Sequence, residues 1–189
     1  MRRAASAFLL VIALAGCAKY SLIQPSRTPV ADLYTVEPQI PWSSSSSGKT
    51  VSWTVDGPPL QELRFISGLE DGEAPLRGED KEKSPKFRKA MTPSEVLELV
   101  VDGLVGEGSQ KLAARNLKPA KFGMHPGFRF EFSFVTASGL DKEGFVVGAI
   151  IQDKLYLILY TGARAHYFPK HKEHVERIIE SIQMQKKEG

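Results

Sequence analysis

The chain has 189 residues, with 25 Lys+Arg against 22 Asp+Glu, a formal charge of +3, and 42% hydrophobic residues. That length suits a single domain that can bury a core of its own. A charge so close to neutral lacks the excess of a nucleic-acid binder, and a single cysteine excludes an internal disulfide scaffold.

The first sixteen residues read as a secretory signal peptide. Arg2 and Arg3 supply the positive start, and Ala4 to Ala15 is almost uninterrupted apolar sequence. The run is about a dozen residues, short of the roughly 20 that a spanning helix needs. It closes on Leu14, Ala15, Gly16 and Cys17, which resembles the lipobox of bacterial lipoproteins. The resemblance implies that Leu14, Ala15 and Gly16 guide the signal peptidase. It also implies that Cys17 carries diacylglycerol on its thiol and, after cleavage, a fatty chain such as palmitate on its amino group. More than one acyl chain makes membrane attachment durable. Losing Arg2 and Arg3 leaves 23 basic against 22 acidic residues, a net charge of +1. Ala18, rather than an aspartate, follows the cysteine, which under enteric-type sorting points to the outer membrane, facing the periplasm.

Residues 17–33 mix Pro, Ser and polar residues without a period and read as an acylated tether. From Tyr34 the pattern is β: "YTVEPQIPW" offers a short edge strand limited by Pro38 and Pro41. Ser43 to Lys49 reads as a flexible loop tip by composition. "VSWTVDG" then alternates cleanly, and "LQELRFIS" gives another strand. Residues 69–91 are charged and rich in breakers, which predicts a long exposed excursion.

"MTPSEVLELVVDGLVGEG" opens with Thr92 as N-cap, Pro93 at the first helical position and Glu95 completing a capping box. Val96, Leu97, Val100, Val101 and Leu104 form its apolar stripe. In "FRFEFSFV" Phe128, Phe130, Phe132 and Phe134 share one face of a half-buried strand, a row read as core. "FVVGAIIQDKLYLILYTG" supplies two nearly continuous apolar strands around a reversal at Gln152–Asp153, as expected where helices cover a sheet. A helix after Pro169 closes the chain, with Val175, Ile178, Ile179 and Ile182 on one face.

The order is strands, a helix, a three-stranded meander and a helix. This predicts an α+β fold, an antiparallel sheet with amphipathic helices packed on it as an αβα sandwich over residues 34–186. The strand ending at Pro41 and Trp42, the capped middle helix, the meander and the helix following "LYLILYTG" resemble the Mog1/PsbP-like fold. Members of that group bind partners as different as a small GTPase and a photosystem. The resemblance therefore implies a non-catalytic binding or assembly role.

Catalytic motifs are not visible in the sequence, and no cofactor is implied. An acylated Cys17 is unavailable as a nucleophile. His166, His171 and His174 cluster in "HYFPKHKEH", with His171 and His174 nearly one helical turn apart. Together they are candidate ligands for Zn²⁺ or Cu²⁺, yet the spacing matches no established motif and ordinary surface histidines are the simpler reading. Glu70, Asp71 and Glu73 lie in a loop, and Asp141 and Glu143 in a hairpin turn, so neither group reads as a carboxylate pair set in a cleft. The leading expectation is an envelope lipoprotein, attached to the membrane through Cys17, that docks a protein partner. A small-ligand or metal carrier is the second reading, and a hydrolase the third.

Overall fold

The computed structural model describes residues 20–30, 33–78 and 80–185. The signal segment and the lipobox residues Leu14, Ala15, Gly16 and Cys17 lie outside the described residues. Among the described residues eleven strands and two α-helices follow in chain order. The strands are β1 (Ser21–Ile23), β2 (Thr28–Val30), β3 (Tyr34–Val36), β4 (Trp42–Ser47), β5 (Thr50–Thr54) and β6 (Gln61–Leu69), then β7 (Gln110–Phe122), β8 (His125–Val135), β9 (Asp141–Ile151), β10 (Lys154–Ala163) and β11 (Gln183–Met184). Helix α1 spans Pro93–Gly106 and α2 spans Tyr167–Glu180.

Eight strands form one antiparallel sheet in the order β1-β4-β5-β6-β10-β9-β8-β7, and β11-β3-β2 form a second, small one. Alternation sorts the large sheet's side chains onto two faces. Trp53, Leu63, Phe65, Phe145, Val147, Ile158 and Tyr160 pack with Val175, Ile178 and Ile179 of α2 and with Tyr34 and Val36 of the small sheet. Ile66, Phe128, Phe130, Phe132, Val146, Leu157 and Leu159 pack with Val96, Leu99, Val100 and Leu104 of α1. The expected α+β sandwich is what forms, with the phenylalanine row fully in the core; Phe130 and Phe132 are 0% exposed. Strands β9 and β10 are buried on both sides, as their continuous apolar runs require.

Helix α1 starts as its sequence dictates. Thr92 accepts from the Glu95 amide and the Glu95 carboxylate accepts from the Thr92 amide. Its buried stripe is Val96, Leu99, Val100, Gly103 and Leu104, so Leu97 and Val101 sit at the margin rather than in the contact. The cause is the 69–91 segment, which is not an exposed excursion. Leu76 and Phe87 are buried against the α1 face, and Leu76 sits so close to Gly103 that a Cβ there would meet the Leu76 Cβ at 2.9 Å. Backbone bonds from Gly72 to the Phe87 carbonyl and from Phe87 to the Glu73 carbonyl, both 2.8 Å, staple the segment to itself.

Three further sequence expectations change. Ser43 to Ser47 belong to β4, paired with β5 and with β1, and only Gly48–Lys49 form the turn. Backbone pairing needs no particular side chain, and small Ser44 lies opposite bulky Trp53. The stretch read as tether contains β1, paired with β4, and β2, paired with β3, so the folded unit reaches back to Ser21. The meander has four strands, because β7 precedes the three that were expected.

Candidate functional site

The antiparallel order gathers several chain reversals at one end of the large sheet: Gly48–Lys49 between β4 and β5, the exit of β6 at Leu69, Gln152–Asp153 between β9 and β10, and Gly123–Met124 between β7 and β8. Between this end and β11 lies an open groove of about 800 Å³. Tyr156, Ile151, Leu33 and Met184 give it an apolar floor, and Lys49, Glu70, His125 and Lys154 are its ionisable lining. The lysines are committed. Lys49 donates to the Gly68 carbonyl at 3.0 Å and pairs with Glu73 at 2.5 Å, while Lys154 pairs with Glu70 at 2.7 Å.

Those pairs set the ionisation. The Lys154 hydrogen bond holds Glu70 below the usual carboxylate range. Burial would raise Glu73, but the Glu70 amide and Lys49 outweigh it and the net shift is downward. Asp71 is lowered by the Lys89 amide, with Arg88 beside it. All three acids are held ionised, the reverse of a general acid kept protonated near neutral pH. Glu143 is likewise occupied, by Arg164 at 3.3 Å and Arg115 at 3.9 Å.

The histidines do not converge. His166 is exposed at the N-cap of α2. His174 meets Arg177 through Nδ1 at 3.0 Å, and burial, helped by that guanidinium, lowers its pKa. His171 is 3% exposed and directs Nε2 at the Asp56 carboxylate, 2.5 Å away. Among the described residues no three His, Cys, Asp or Glu side chains are grouped to hold a metal ion. Instead, Lys170 and His171 together clamp Asp56 at the end of β5. Burial alone would raise the Asp56 pKa, but hydrogen bonds from Lys170 and His171 overcome it and lower the value. The Trp42 ring lies 6.0 Å from His171 and 6.3 Å from Trp53, so this clamp closes over the aromatic core.

The surface that sequence reasoning missed is β7. It is the terminal strand of the large sheet, and most of its residues are exposed. Its pairing with β8 shifts register twice, and Lys111 and Asn116 take positive φ, 51° and 58°, at those irregularities. With Pro119, these features keep a long edge from templating another chain through its backbone. Arg115 is ion-paired with Glu131 and Glu143. Lys111, Lys118 and Lys121 are exposed, and among the described residues none of the three has an ion-pair partner; Arg77, Lys86 and Lys172 are likewise exposed and unpaired, but they lie in the 69–91 segment and α2, whereas β7 gathers three on one edge strand. Three lysines and an arginine with no acidic residue among them in "QKLAARNLKPAK" were the available signal.

No protein-family model matches the chain, and no curated protein sequence matches it. Likeness exists in three dimensions. The solution structure of cyanobacterial PsbP (CyanoP) from Synechocystis sp. PCC 6803 superposes with a TM-score of 0.54 at 12% identity, covering 94% of this chain and 99% of that one. The fold is PsbP-like. A crystal structure from Bacteroides thetaiotaomicron VPI-5482 gives a TM-score of 0.51 at 9% identity, covering 88% of this chain and 51% of that chain. LpqN of Mycobacterium tuberculosis, described as involved in cell envelope biogenesis, reaches a TM-score of 0.38 at 10% identity, which carries no argument. At such identities the likeness speaks to fold and not to activity.

Proposed function

We propose that this chain is a lipid-anchored protein of the bacterial envelope, held to the outer membrane through acyl chains on Cys17, with a PsbP-like domain that docks a protein partner without catalysing a reaction. Two observations support the location: the lipobox match at Leu14 to Cys17 and the signal segment before it. One observation carries the docking role. Both faces of the large sheet are filled by core, so recognition falls to the surface, and there β7 presents Lys111, Lys118 and Lys121 unpaired along an edge. Side chains on an edge that resists backbone addition suit an acidic protein surface, recognised by charge and steered by it over long range.

A photo-crosslinking residue at position 118 in the full chain, expressed in its native envelope, tests this. The expected outcome is one discrete crosslinked protein, lost when Lys111 and Lys121 are both changed to Glu. Crosslinking that is diffuse, or that survives the double charge reversal, would remove β7 as the docking surface. The groove lined by Tyr156 and Lys154 favours a second reading, a small polar ligand bound at the turn end.

A further inference from the structure

The way the chain enters the fold orients it. Strand β1 runs antiparallel to β4, with Ser21 opposite Ser44 and Ile23 opposite Trp42. The chain therefore enters β1 from the end that carries the Gly48–Lys49, Gly123–Met124 and Gln152–Asp153 turns. Cys17 is four Cα-to-Cα steps from Ser21, and extended chain covers at most about 3.6 Å per step, so the acylated position lies at most roughly 14 Å from β1. That equals the four residues from Ser44 to Gly48, the distance needed to bring Cys17 level with the turns. The domain has no length of chain with which to stand away from the bilayer.

The same end is dressed for contact. Met124 is 96% exposed at the tip of the β7–β8 turn, on one edge of the sheet, and Tyr20 is 49% exposed beside β1 on the other edge. Apolar and aromatic side chains presented in this way enter the headgroup boundary of a bilayer at little cost. The charges there do not oppose an anionic lipid surface. Glu73, Glu70, Asp153 and Asp71 are each paired with a base, namely Lys49, Lys154, Lys89 and Arg88, and Lys121 is left over. At the opposite end Val55 and Val105 are exposed as well, beside Asp56 and Glu107, which are themselves paired with Lys170 and Arg64, so it is the entry of the chain into β1 that singles out the turn-bearing end.

We infer that the turn-bearing end of the sandwich rests on the phospholipid surface, with Met124 and Tyr20 touching the headgroup layer and the groove opening toward it. This rests on the Cys17 anchor proposed above. It leaves the β8–β9 turn at the far end of β8, an 11-residue strand, or roughly 35 Å from the bilayer.

Acylation would leave the natural protein without a free thiol, so an added cysteine is the sole labelling site. The full-length lipoprotein bearing Met124→Cys or Ala137→Cys is labelled with bimane. It is then placed in vesicles of phosphatidylethanolamine and phosphatidylglycerol containing doxyl-labelled lipid. Both positions are exposed, so neither change disturbs the core. The expected result is quenching at position 124 several-fold greater than at position 137. Equal quenching, or more at 137, overturns the orientation while leaving the anchor intact. A wild-type protein that itself takes the label has a free Cys17 thiol, which overturns the anchor and the orientation with it.

Discussion

Asp56 holds two consecutive side chains of α2 at once, and with the Arg129–Glu176 pair it is one of the charged links that tie the helix to the sheet. The pairing could not be read from sequence, because Asp56 and His171 are 115 positions apart and neither sits in a motif. The phenylalanine row, by contrast, was legible, because alternation alone assigns four rings to one face. Asp56 has a folded-state pKa below its unfolded value of about 3.9. Its stabilisation is thus fully present above about pH 4 and is lost as pH falls through the lowered folded-state value. Asp56→Asn is expected to cost about 1–2 kcal/mol at pH 7, at the low end for hydrogen bonds to a charged group because the side chain is 21% exposed. In urea titrations from pH 7 to pH 3, the gap between wild type and variant should narrow only below about pH 4. A gap that stays constant with pH would show that the carboxylate charge is irrelevant to the clamp.

Element by element, strands with one clear apolar face or two were readable, and those without were not. Strands β9 and β10 announced themselves through Val, Ile and Leu, and α1 through its capping box. The serines of β4 carry no apolar alternation although the strand is paired on both sides, and the lysines of β7 carry no period, since an edge strand exposed to water has no face to encode. The fit of β9 against β8 depends on glycine at a place where no turn is needed. Gly148 pairs with Phe128, and a Cβ there would lie 2.6 Å from Leu157 Cδ2 and 2.8 Å from Phe128 Cζ. Gly148→Ala should therefore destabilise the domain by about 1–3 kcal/mol through overpacking, seen as a lower urea midpoint at unchanged slope. An unchanged midpoint would mean that the phenylalanine row yields more readily than its packing implies.

For the molecule as a whole, the sequence carried the fold class and the lipobox on which the proposed anchor rests, while the proposed docking surface emerged only when topology placed β7 at the sheet edge. The proposed anchor, the direction of β1 and the exposed turn end combine into one proposal: a domain standing on its turn-bearing end on a membrane, with its basic edge free at the side for a partner. Everything in that proposal beyond the fold depends on Cys17. The direct measurement is palmitate labelling and mass spectrometry of the N-terminal peptide after membrane fractionation, for wild type and Cys17→Ala. The expected wild type starts at Cys17, carries diacylglycerol and a fatty acid, and sediments with the outer membrane, while Cys17→Ala takes no label and loses that attachment. A wild type that keeps residues 1–16, or that has an unmodified Cys17 and stays out of the membrane fraction, would contradict it.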